Sequence, residues 1–236
     1  MSVDPNPAPV LGVVSGCGGA GASTLAALVA ARAAPALLLD CDPLGGGIDV
    51  LLGSERVVGP RWSQVRLRGG SLAVTDLLAA LPRWQRVHFL AADTAQEIEA
   101  GALSTILDSA AGQVPVVLDL PRTDGPARAA AVARCDLLVV VTPAEVRGLT
   151  STAVLLAGLP PDRTALVVRG RNRGLPPGQI GELLGLPVLA GLGWDAALTA
   201  DGGLAPARVR RRTRQALTAV WADACRGAQQ RAVAAA

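Results

Sequence analysis

A glycine-rich loop between an apolar strand and an alanine-rich helix constrains the fold more than any other feature of this chain. Residues 16–24 read Gly-Cys-Gly-Gly-Ala-Gly-Ala-Ser-Thr, after the apolar run Val10–Ser15 and at the start of the predicted helix Ser23–Ala34. Glycines let the backbone N–H groups of such a loop turn inward, and the helix N-terminus adds a partial positive charge. The pattern therefore predicts a phosphate-binding loop at the carboxyl end of a buried strand.

The rest of the chain continues the alternation of apolar strands and helices. Further strands are predicted over Ala36–Leu39, Val87–Ala91, Val116–Leu120, Leu137–Thr142, Ala165–Arg169 and Val188–Gly191. Further helices are predicted over Ser71–Ala80, Ala95–Ala111, Ala127–Ala133, Val146–Leu156, Pro177–Leu184 and Arg208–Arg226. This alternation predicts an α/β fold, a single-domain three-layer sandwich with a mostly parallel sheet of about seven strands and helices on both faces. We expect a disordered tail over residues 1–9, the domain over 10–227 and a frayed end over 228–236.

Composition argues against several classes of protein. The formal net charge of +3 is too small for the dense basic field of a dedicated nucleic-acid binder, and all 22 basic residues are Arg. The four cysteines form no C-x-x-C pair and His88 is the single histidine, so we expect free thiols and no zinc site. The N-terminus has no basic segment of a secretory signal, and the apolar runs are too short to span a membrane. We therefore expect a cytoplasmic protein.

The loop has the spacing of a nucleotide-binding P-loop without its charge. Gly16, Gly21 and Ser23 occupy the places required by the pattern G-x-x-x-x-G-K-S/T. Ala22 stands where that pattern has the lysine that reaches the β- and γ-phosphates. The geometry of a phosphate loop is therefore expected here, but its usual cation is missing.

Three segments carry a family resemblance. Residues 17–23 resemble K-G-G-x-G-K-T/S, the deviant Walker A loop of the MinD/ParA ATPases, with Cys17 in place of the signature lysine. Asp40-Cys41-Asp42-Pro43 resembles the D-x-D that follows the second strand in that superfamily, and Gly45–Gly53 looks like its continuation in the CpaE/TadZ-like and septum-site-determining branch. Asp119-Leu120-Pro121-Arg122 resembles the end of a Walker B strand. The ordered set of motifs is much more specific than the loop alone.

The resemblance covers about residues 10–205 and implies a site for ATP or ADP with Mg²⁺, without zinc, haem or flavin. It implies that Ser23 and, through water, Asp119 hold magnesium. It also implies that Asp42 orients the attacking water and that Asp40 acts near magnesium and the dimer interface. Both could instead be turn-forming residues beside Pro43. The residues implied in phosphate binding are Gly18, Gly19, Ala20, Gly21, Ala22, Ser23 and Thr24.

Two departures from the family bear on activity. A hydrogen bond to a charged group contributes roughly 1.5–3 kcal/mol, so loss of both lysines weakens nucleotide binding by about 3–6 kcal/mol. Hydrolysis should suffer more, because phosphoryl transfer depends on neutralising charge between the phosphates. We hypothesise that Arg122 partly replaces that charge, the alternative being an ordinary surface arginine. Where relatives carry Asn-Arg and the Asn reads adenine, this chain has Arg169-Gly170-Arg171.

Two classes of function stay open at this stage. The first is a nucleotide-binding localisation factor with weak or absent ATPase activity, which would act in septum-site determination or in assembly of a Flp/Tad pilus-secretion machine. It would form a homodimer and bind protein partners of that apparatus. The second is a pseudo-ATPase scaffold that binds no nucleotide and acts only through protein–protein contacts. An oxidoreductase with a dinucleotide-binding loop fits poorly, because the glycine spacing and the paired Asp40 and Asp42 match the P-loop family better.

The predicted last helix, Arg208–Arg226, has an arginine-rich face and an apolar face. MinD proteins use an amphipathic C-terminal helix at membranes, so contact with DNA or with the inner face of the membrane is one interpretation. The other is a packing helix with a solvated arginine face, which the apolar spacing around Trp221 favours.

Overall fold

The strands predicted from apolar runs form one sheet. The computed structural model describes residues 8–67, 72–93, 97–170, 174–193, 195 and 203–234. Its strands are β1 (Val10–Ser15), β2 (Ala36–Asp40), β3 (Arg83–Trp84), β4 (Val87–Leu90), β5 (Val116–Leu120), β6 (Leu137–Pro143), β7 (Thr164–Arg169) and β8 (Val188–Leu192). Its helices are α1 (Ala22–Ala33), α2 (Ile48–Leu52), α3 (Val74–Ala80), α4 (Ala100–Ala110), α5 (Pro126–Arg134), α6 (Val146–Leu156), α7 (Pro177–Leu184) and α8 (Arg211–Ala234).

The sheet has the order β3-β4-β2-β5-β1-β6-β7-β8. All neighbouring strands pair in parallel except β3, which pairs antiparallel with β4. The predicted α/β class with a mostly parallel sheet is therefore confirmed, with one more strand than the approximate number expected. The added strand, β3, has two residues, Arg83 and Trp84, and so leaves no periodic pattern in the sequence.

Helices cover both faces of the sheet, as predicted. Leu103 of α4, Leu149 of α6 and Ile180 of α7 belong to the hydrophobic cluster on one face. Leu25 of α1 and Val220 of α8 belong to the cluster on the opposite face. Burial on two faces explains why the central strands are almost entirely apolar, as expected for a parallel sheet inside a sandwich.

The topology determines where a site can form. Strands β2, β5 and β1 are neighbours, and parallel strands end at the same edge of the sheet. The segments that follow them begin at Gly16, Cys41 and Pro121. Ligands of open α/β sheets bind outside the carboxyl ends of the strands, where strand order reverses. The fold therefore brings the three resembling motifs together at one edge.

The last helix differs from its predicted bounds. It runs over Arg211–Ala234, whereas the sequence predicted Arg208–Arg226 and a frayed end over 228–236. The extra turns are held to the sheet, because Ala228 is buried and Arg231 forms a 3.0 Å ion pair with Asp136 through its Nε atom. Residues 235 and 236, and residues 1–7 of the predicted tail, lie outside the described part of the chain.

The apolar face of α8 is part of the core. Leu217, Val220 and Ala224 are buried against the sheet and α1, while Arg211, Arg212 and Arg214 are exposed. The apolar face predicted for this helix therefore packs inside the protein. Within the described residues, no helix combines the length and the apolar character needed to cross a membrane.

Candidate functional site

The glycine-rich loop turns back over the end of β1 before α1 begins. Gly19 and Gly21 have φ angles of 75° and 94°, in the left-handed region that favours glycine. The backbone N–H of Gly16 donates to the carbonyl oxygen of Val141 at 2.8 Å, and a Cβ at Gly16 would lie 2.1 Å from Thr152 Oγ1. Local conformation and close packing thus both require glycine in this loop.

The loop forms one wall of a cleft of about 530 Å³ at the carboxyl edge of the sheet. The cleft brings together the predicted site residues Gly18, Gly19, Gly21, Ala22, Ser23, Thr24, Asp40, Asp42, Asp119 and Arg122. Ala20, within the loop itself, is buried and lines a smaller cavity beside the cleft. The predicted residues are therefore neighbours in space, and their individual roles stay predictions.

Two buried carboxylates lie side by side beneath the loop. Asp40 ends β2 and is directly paired with Asp119 of β5 in the parallel register. The two residues are 2% and 5% exposed. Burial is the main cause that raises the pKa of Asp119 to about 8, and the neighbouring charges of Asp40 and Asp42 act in the same direction. The pKa of Asp40 is likewise raised to about 6, mainly by burial.

Asp119 has the properties of a residue that supports a cation. Hydrogen bonding with the side chain of Ser23, at the start of α1, lowers the pKa of this carboxylate against the effect of burial. A buried carboxylate near other acids is stabilised by a bound cation, and oxygen donors suit Mg²⁺. No group of three or more His, Cys, Asp or Glu side chains within the described chain could hold a metal ion. Ser23 and Asp119 supply few protein ligands. This fits Mg²⁺, because a magnesium ion in a protein usually keeps several bound waters.

Both carboxylate oxygens of Asp40 accept hydrogen bonds from backbone N–H groups. Its Oδ1 accepts the N–H of Asp42 at 3.1 Å, and its Oδ2 accepts the N–H groups of Ile48 at 2.9 Å and Ala92 at 3.2 Å. These bonds partly oppose the effect of burial on its pKa. Asp40 thus fixes the turn from β2 to α2. Asp42 is half-buried at the cleft, and its Oδ1 accepts the N–H of Leu44 at 3.1 Å.

Arg122 lies at the cleft but its guanidinium bonds to a neighbouring helix. The residue is exposed, and its Nη2 donates to Ser151 Oγ of α6 at 2.7 Å. Its proposed role as a replacement cation stays a prediction.

Arg169 is a charged residue of the cleft that the sequence did not predict to bind phosphate. It ends β7, and its Nη1 donates to the carbonyl oxygens of Ala20 at 2.8 Å and Gly19 at 3.3 Å. The signal available in the sequence was an arginine directly after an apolar strand in a chain without lysine. Gly170 follows it in the described chain, and Arg171 lies outside the described residues.

A second cavity lies on the other side of Arg169. It is small, about 50 Å³, and its walls include Leu25, Leu28 and Leu192. Arg169 lines both this cavity and the cleft. Gly21 and Thr24 also line both, so these residues are shared by the cleft and the cavity.

Comparison with known sequences gives relatives of unstated function. No family model matches the chain. Uncharacterised proteins of Mycobacterium tuberculosis strains CDC 1551 and H37Rv are each 39% identical over 213 residues, covering 86% of this chain and 60% of theirs. The chain thus spans about 60% of the length of these curated relatives.

Comparison with solved structures identifies the fold. A ParA family ATPase from Chlorobium tepidum TLS superimposes with a TM-score of 0.74 at 17% identity, covering 91% of this chain and 98% of that one. MinD from Pyrococcus horikoshii OT3, complexed with Mg-ADP, has a TM-score of 0.63 at 18% identity, covering 90% and 94%. A putative plasmid partition protein from Borrelia burgdorferi B31, bound to AMPPNP, has a TM-score of 0.66 at 13% identity, covering 92% and 98%. The chain therefore has the P-loop fold of the ParA and MinD ATPases.

Proposed function

We propose that this protein is a MinD/ParA-type nucleotide-binding localisation factor with weak or absent ATP hydrolysis. The observation that carries the proposal is the buried Asp119 carboxylate, which lines a cleft of about 530 Å³ together with Ser23 and the glycine loop. A pair of this kind at the end of a strand and the start of a helix suits a magnesium-bound phosphate. Three solved proteins of similar fold bind Mg-ADP, AMPPNP and ATP, respectively, which supports a nucleotide as the ligand.

Each group in the cleft has a distinct task in this proposal. Backbone N–H groups of the loop and the N-terminus of α1 bind phosphate oxygens. Ser23 would hold magnesium directly and Asp119 through water, and the bound ion would offset charge on the phosphates. Asp42 positions the water that attacks the terminal phosphate. Asp40 holds the turn that carries Asp42, because its carboxylate accepts the N–H of Asp42 and of Ile48.

Hydrolysis is expected to be feeble. Ala22 and Cys17 occupy the two lysine positions, and loss of two charged hydrogen bonds weakens phosphate binding by about 3–6 kcal/mol. A transition state with more charge between the phosphates loses more than the ground state does. The protein would then act as a nucleotide-controlled binding module with slow or no turnover.

The biological role that we propose is placement of another machine in the cell. Gly45–Gly53 and the D-L-P-R segment at the end of β5 resemble those of the CpaE/TadZ-like and septum-site-determining branch, so the candidate roles are septum placement and Flp/Tad pilus secretion. A MinD of the same fold from Aquifex aeolicus forms a complex with MinC. By analogy, this protein would form a homodimer and bind protein partners in the cytoplasm or at the inner face of the membrane. The exposed arginines of α8 offer a surface for that last contact.

The alternative function is a scaffold that binds no nucleotide. The absence of both loop lysines, which Cys17 and Ala22 replace, favours it. In that case the cleft is a structural remnant, and the protein acts only through contacts with other proteins.

Titration calorimetry with ATP and Mg²⁺ separates the two functions. The proposal predicts micromolar binding by the wild type, at least a tenfold loss in Asp119→Ala, and no change in Asp162→Asn. Asp162 is a suitable control because it is exposed before β7, at the opposite end of the sheet. Phosphate release from the same samples measures turnover. No detectable wild-type binding at millimolar ATP would favour the scaffold.

A further inference from the structure

Two carbonyl oxygens of the glycine loop accept hydrogen bonds from an arginine on a strand that is not adjacent to the loop. Arg169 comes from β7, two strands from β1 in the sheet order. Its Nη1 lies 2.8 Å from the oxygen of Ala20 and 3.3 Å from that of Gly19. These residues form the middle of the loop, directly before Gly21 and Ala22. The loop therefore has a fixed cationic partner although its own sequence contains no basic residue.

The backbone around Arg169 is held on two sides. Its carbonyl oxygen accepts the N–H of Ala144 at 3.0 Å, and the next residue, Gly170, donates to Leu192 at 3.1 Å. Arg169 is also paired with Pro143 in the register of β6 and β7. The side chain thus extends from a well-anchored strand end, which makes its position suitable for holding the loop.

The loop is shaped to accept this guanidinium. A Cβ at Gly21 would lie 2.3 Å from Arg169 Nη1, and Gly21 has a φ angle of 94°. The backbone conformation therefore requires glycine there, and a larger residue would also displace the end of the Arg169 side chain. The contact between Gly21 and Arg169 is close enough for the two residues to be interdependent.

The charged residues that line the cleft also bear on how Arg169 would act on a bound phosphate. The described lining includes the carboxylates of Asp40, Asp42 and Asp119, and the guanidinium groups of Arg122 and Arg169. Arg122 bonds to Ser151 on α6, whereas Arg169 bonds to the loop itself. A positive charge next to the loop attracts a bound phosphate even without a direct bond.

We propose that Arg169 performs from β7 the tasks that a lysine within the loop would perform. It holds the loop in its phosphate-binding conformation through the carbonyl oxygens of Gly19 and Ala20, and it supplies positive charge to the bound phosphates. The first task concerns the ligand-free protein. The second rests on the proposed nucleotide-binding function.

The first task is tested by hydrogen exchange in the ligand-free protein. Arg169→Gln should accelerate exchange of the amides of residues 17–22 about tenfold or more, and Arg169→Lys should restore part of the protection. Amides of β1 and β6 should exchange as in the wild type, which also shows that the variants fold. Arg86→Gln, an exposed arginine in the turn between β3 and β4, is the matched control. Unchanged exchange in the loop of Arg169→Gln would overturn the first task.

The second task is tested by titrating the same proteins with Mg-ATP, Mg-ADP and inorganic tripolyphosphate with Mg²⁺. A phosphate role predicts that Arg169→Gln binds all three about tenfold to a hundredfold more weakly, with partial recovery in Arg169→Lys and none of this loss in Arg86→Gln. Weaker binding of the nucleotides with unchanged tripolyphosphate binding would assign Arg169 to the base and overturn the phosphate role. Unchanged binding of all three would overturn it as well.

The outcome for the wild type separates this inference from the proposed function. A wild type that binds none of the three ligands contradicts the proposed function and the second task together. Hydrogen exchange then still decides whether Arg169 holds the loop.

Discussion

The indole nitrogen of Trp62 donates a 2.6 Å hydrogen bond to the backbone carbonyl oxygen of Asp40. This buried contact joins a short helical turn, Trp62–Gln64, to the strand end that carries the site. The preceding residue, Arg61, is anchored separately, because its Nε forms a 2.8 Å ion pair with Asp49 of α2. The segment after α2 is therefore attached at two points to the β2 side of the cleft.

Replacing Trp62 with Phe should destabilise the protein. The substitution keeps an aromatic ring but leaves the buried carbonyl oxygen of Asp40 without its donor, which costs about 1–3 kcal/mol. Urea unfolding measures the free energy of unfolding. Trp221→Phe is the control, since Trp221 is only half-buried on α8. Equal stabilities of the two variants would show that the bond to Asp40 contributes nothing specific.

Asp119→Asn should stabilise the magnesium-free protein in a manner that depends on pH. The pKa of Asp119 is raised from 3.8 to about 8, so the folded state keeps a proton that the unfolded chain releases. This group therefore lowers stability as pH rises from about 4 to about 8. Asparagine does not titrate, so the variant should exceed the wild type by about 1–3 kcal/mol at pH 8, with the difference shrinking toward pH 4.

Thermal unfolding at pH 5 and pH 8 in the presence of a chelator checks this expectation. Asp162→Asn serves as the control, because Asp162 is exposed. A variant less stable than the wild type at pH 8, or an equal difference at both pH values, would argue against a buried carboxyl with a raised pKa.

Ala22→Lys should strengthen nucleotide binding. Ala22 begins α1 and lines the cleft, in the position where the P-loop pattern has lysine. A charged hydrogen bond to phosphate should tighten Mg-ATP binding about tenfold to a hundredfold. Calorimetry against Ala22→Met, which adds length without charge, isolates the electrostatic effect. An equal gain in both variants, or no gain with lysine, contradicts the assignment of this position.

Arg128→Met should raise stability. Arg128 is 5% exposed, and its Nη1 pairs with Asp124, which is highly exposed. Its Nε and Nη2 have no hydrogen-bond partner among the residues that the structure describes, and burial lowers its pKa. Replacing a poorly paired buried charge by an apolar side chain of similar length is expected to add about 1–2 kcal/mol.

The comparison variant for Arg128 is Arg134→Met on the same helix. Arg134 donates two hydrogen bonds to Asp108, at 2.8 and 3.0 Å, and so should gain nothing from the change. The two variants differ in how well the guanidinium is paired. A less stable Arg128→Met protein would show that this arginine has a role that its contacts do not reveal.

Local sequence patterns predicted much of this fold. β1 and β5 have the bounds expected from their apolar runs, and α6 has those expected from its periodicity. The glycine loop could also be predicted from the sequence, because its conformation depends on residues within a few positions of each other. α2 was not predicted, since it is a five-residue helix directly after three glycines. The end of α8 was missed because it depends on a contact between Arg231 and Asp136, which are far apart in the sequence.

The sequence predicted which residues form the site, but not their burial or the hydrogen bonds among them. The family resemblance, and not a local pattern, implied that Asp119 and Asp40 both lie near the same magnesium ion. Burial, which raises the pKa of both, requires the packed structure. Arg169 could not be assigned to the loop, because its bond to Ala20 joins residues 149 positions apart. No local pattern encodes such a contact.

The most direct test of the account is the magnesium dependence of ADP binding, measured by calorimetry in the wild type and in Ser23→Ala. Mg²⁺ should tighten ADP binding by the wild type at least tenfold, and this gain should disappear in Ser23→Ala. Thr218→Ala, an exposed hydroxyl on α8, should behave as the wild type. No ADP binding at millimolar concentration, or a wild-type affinity indifferent to Mg²⁺, would contradict the claim that Ser23 and Asp119 form a magnesium-nucleotide site.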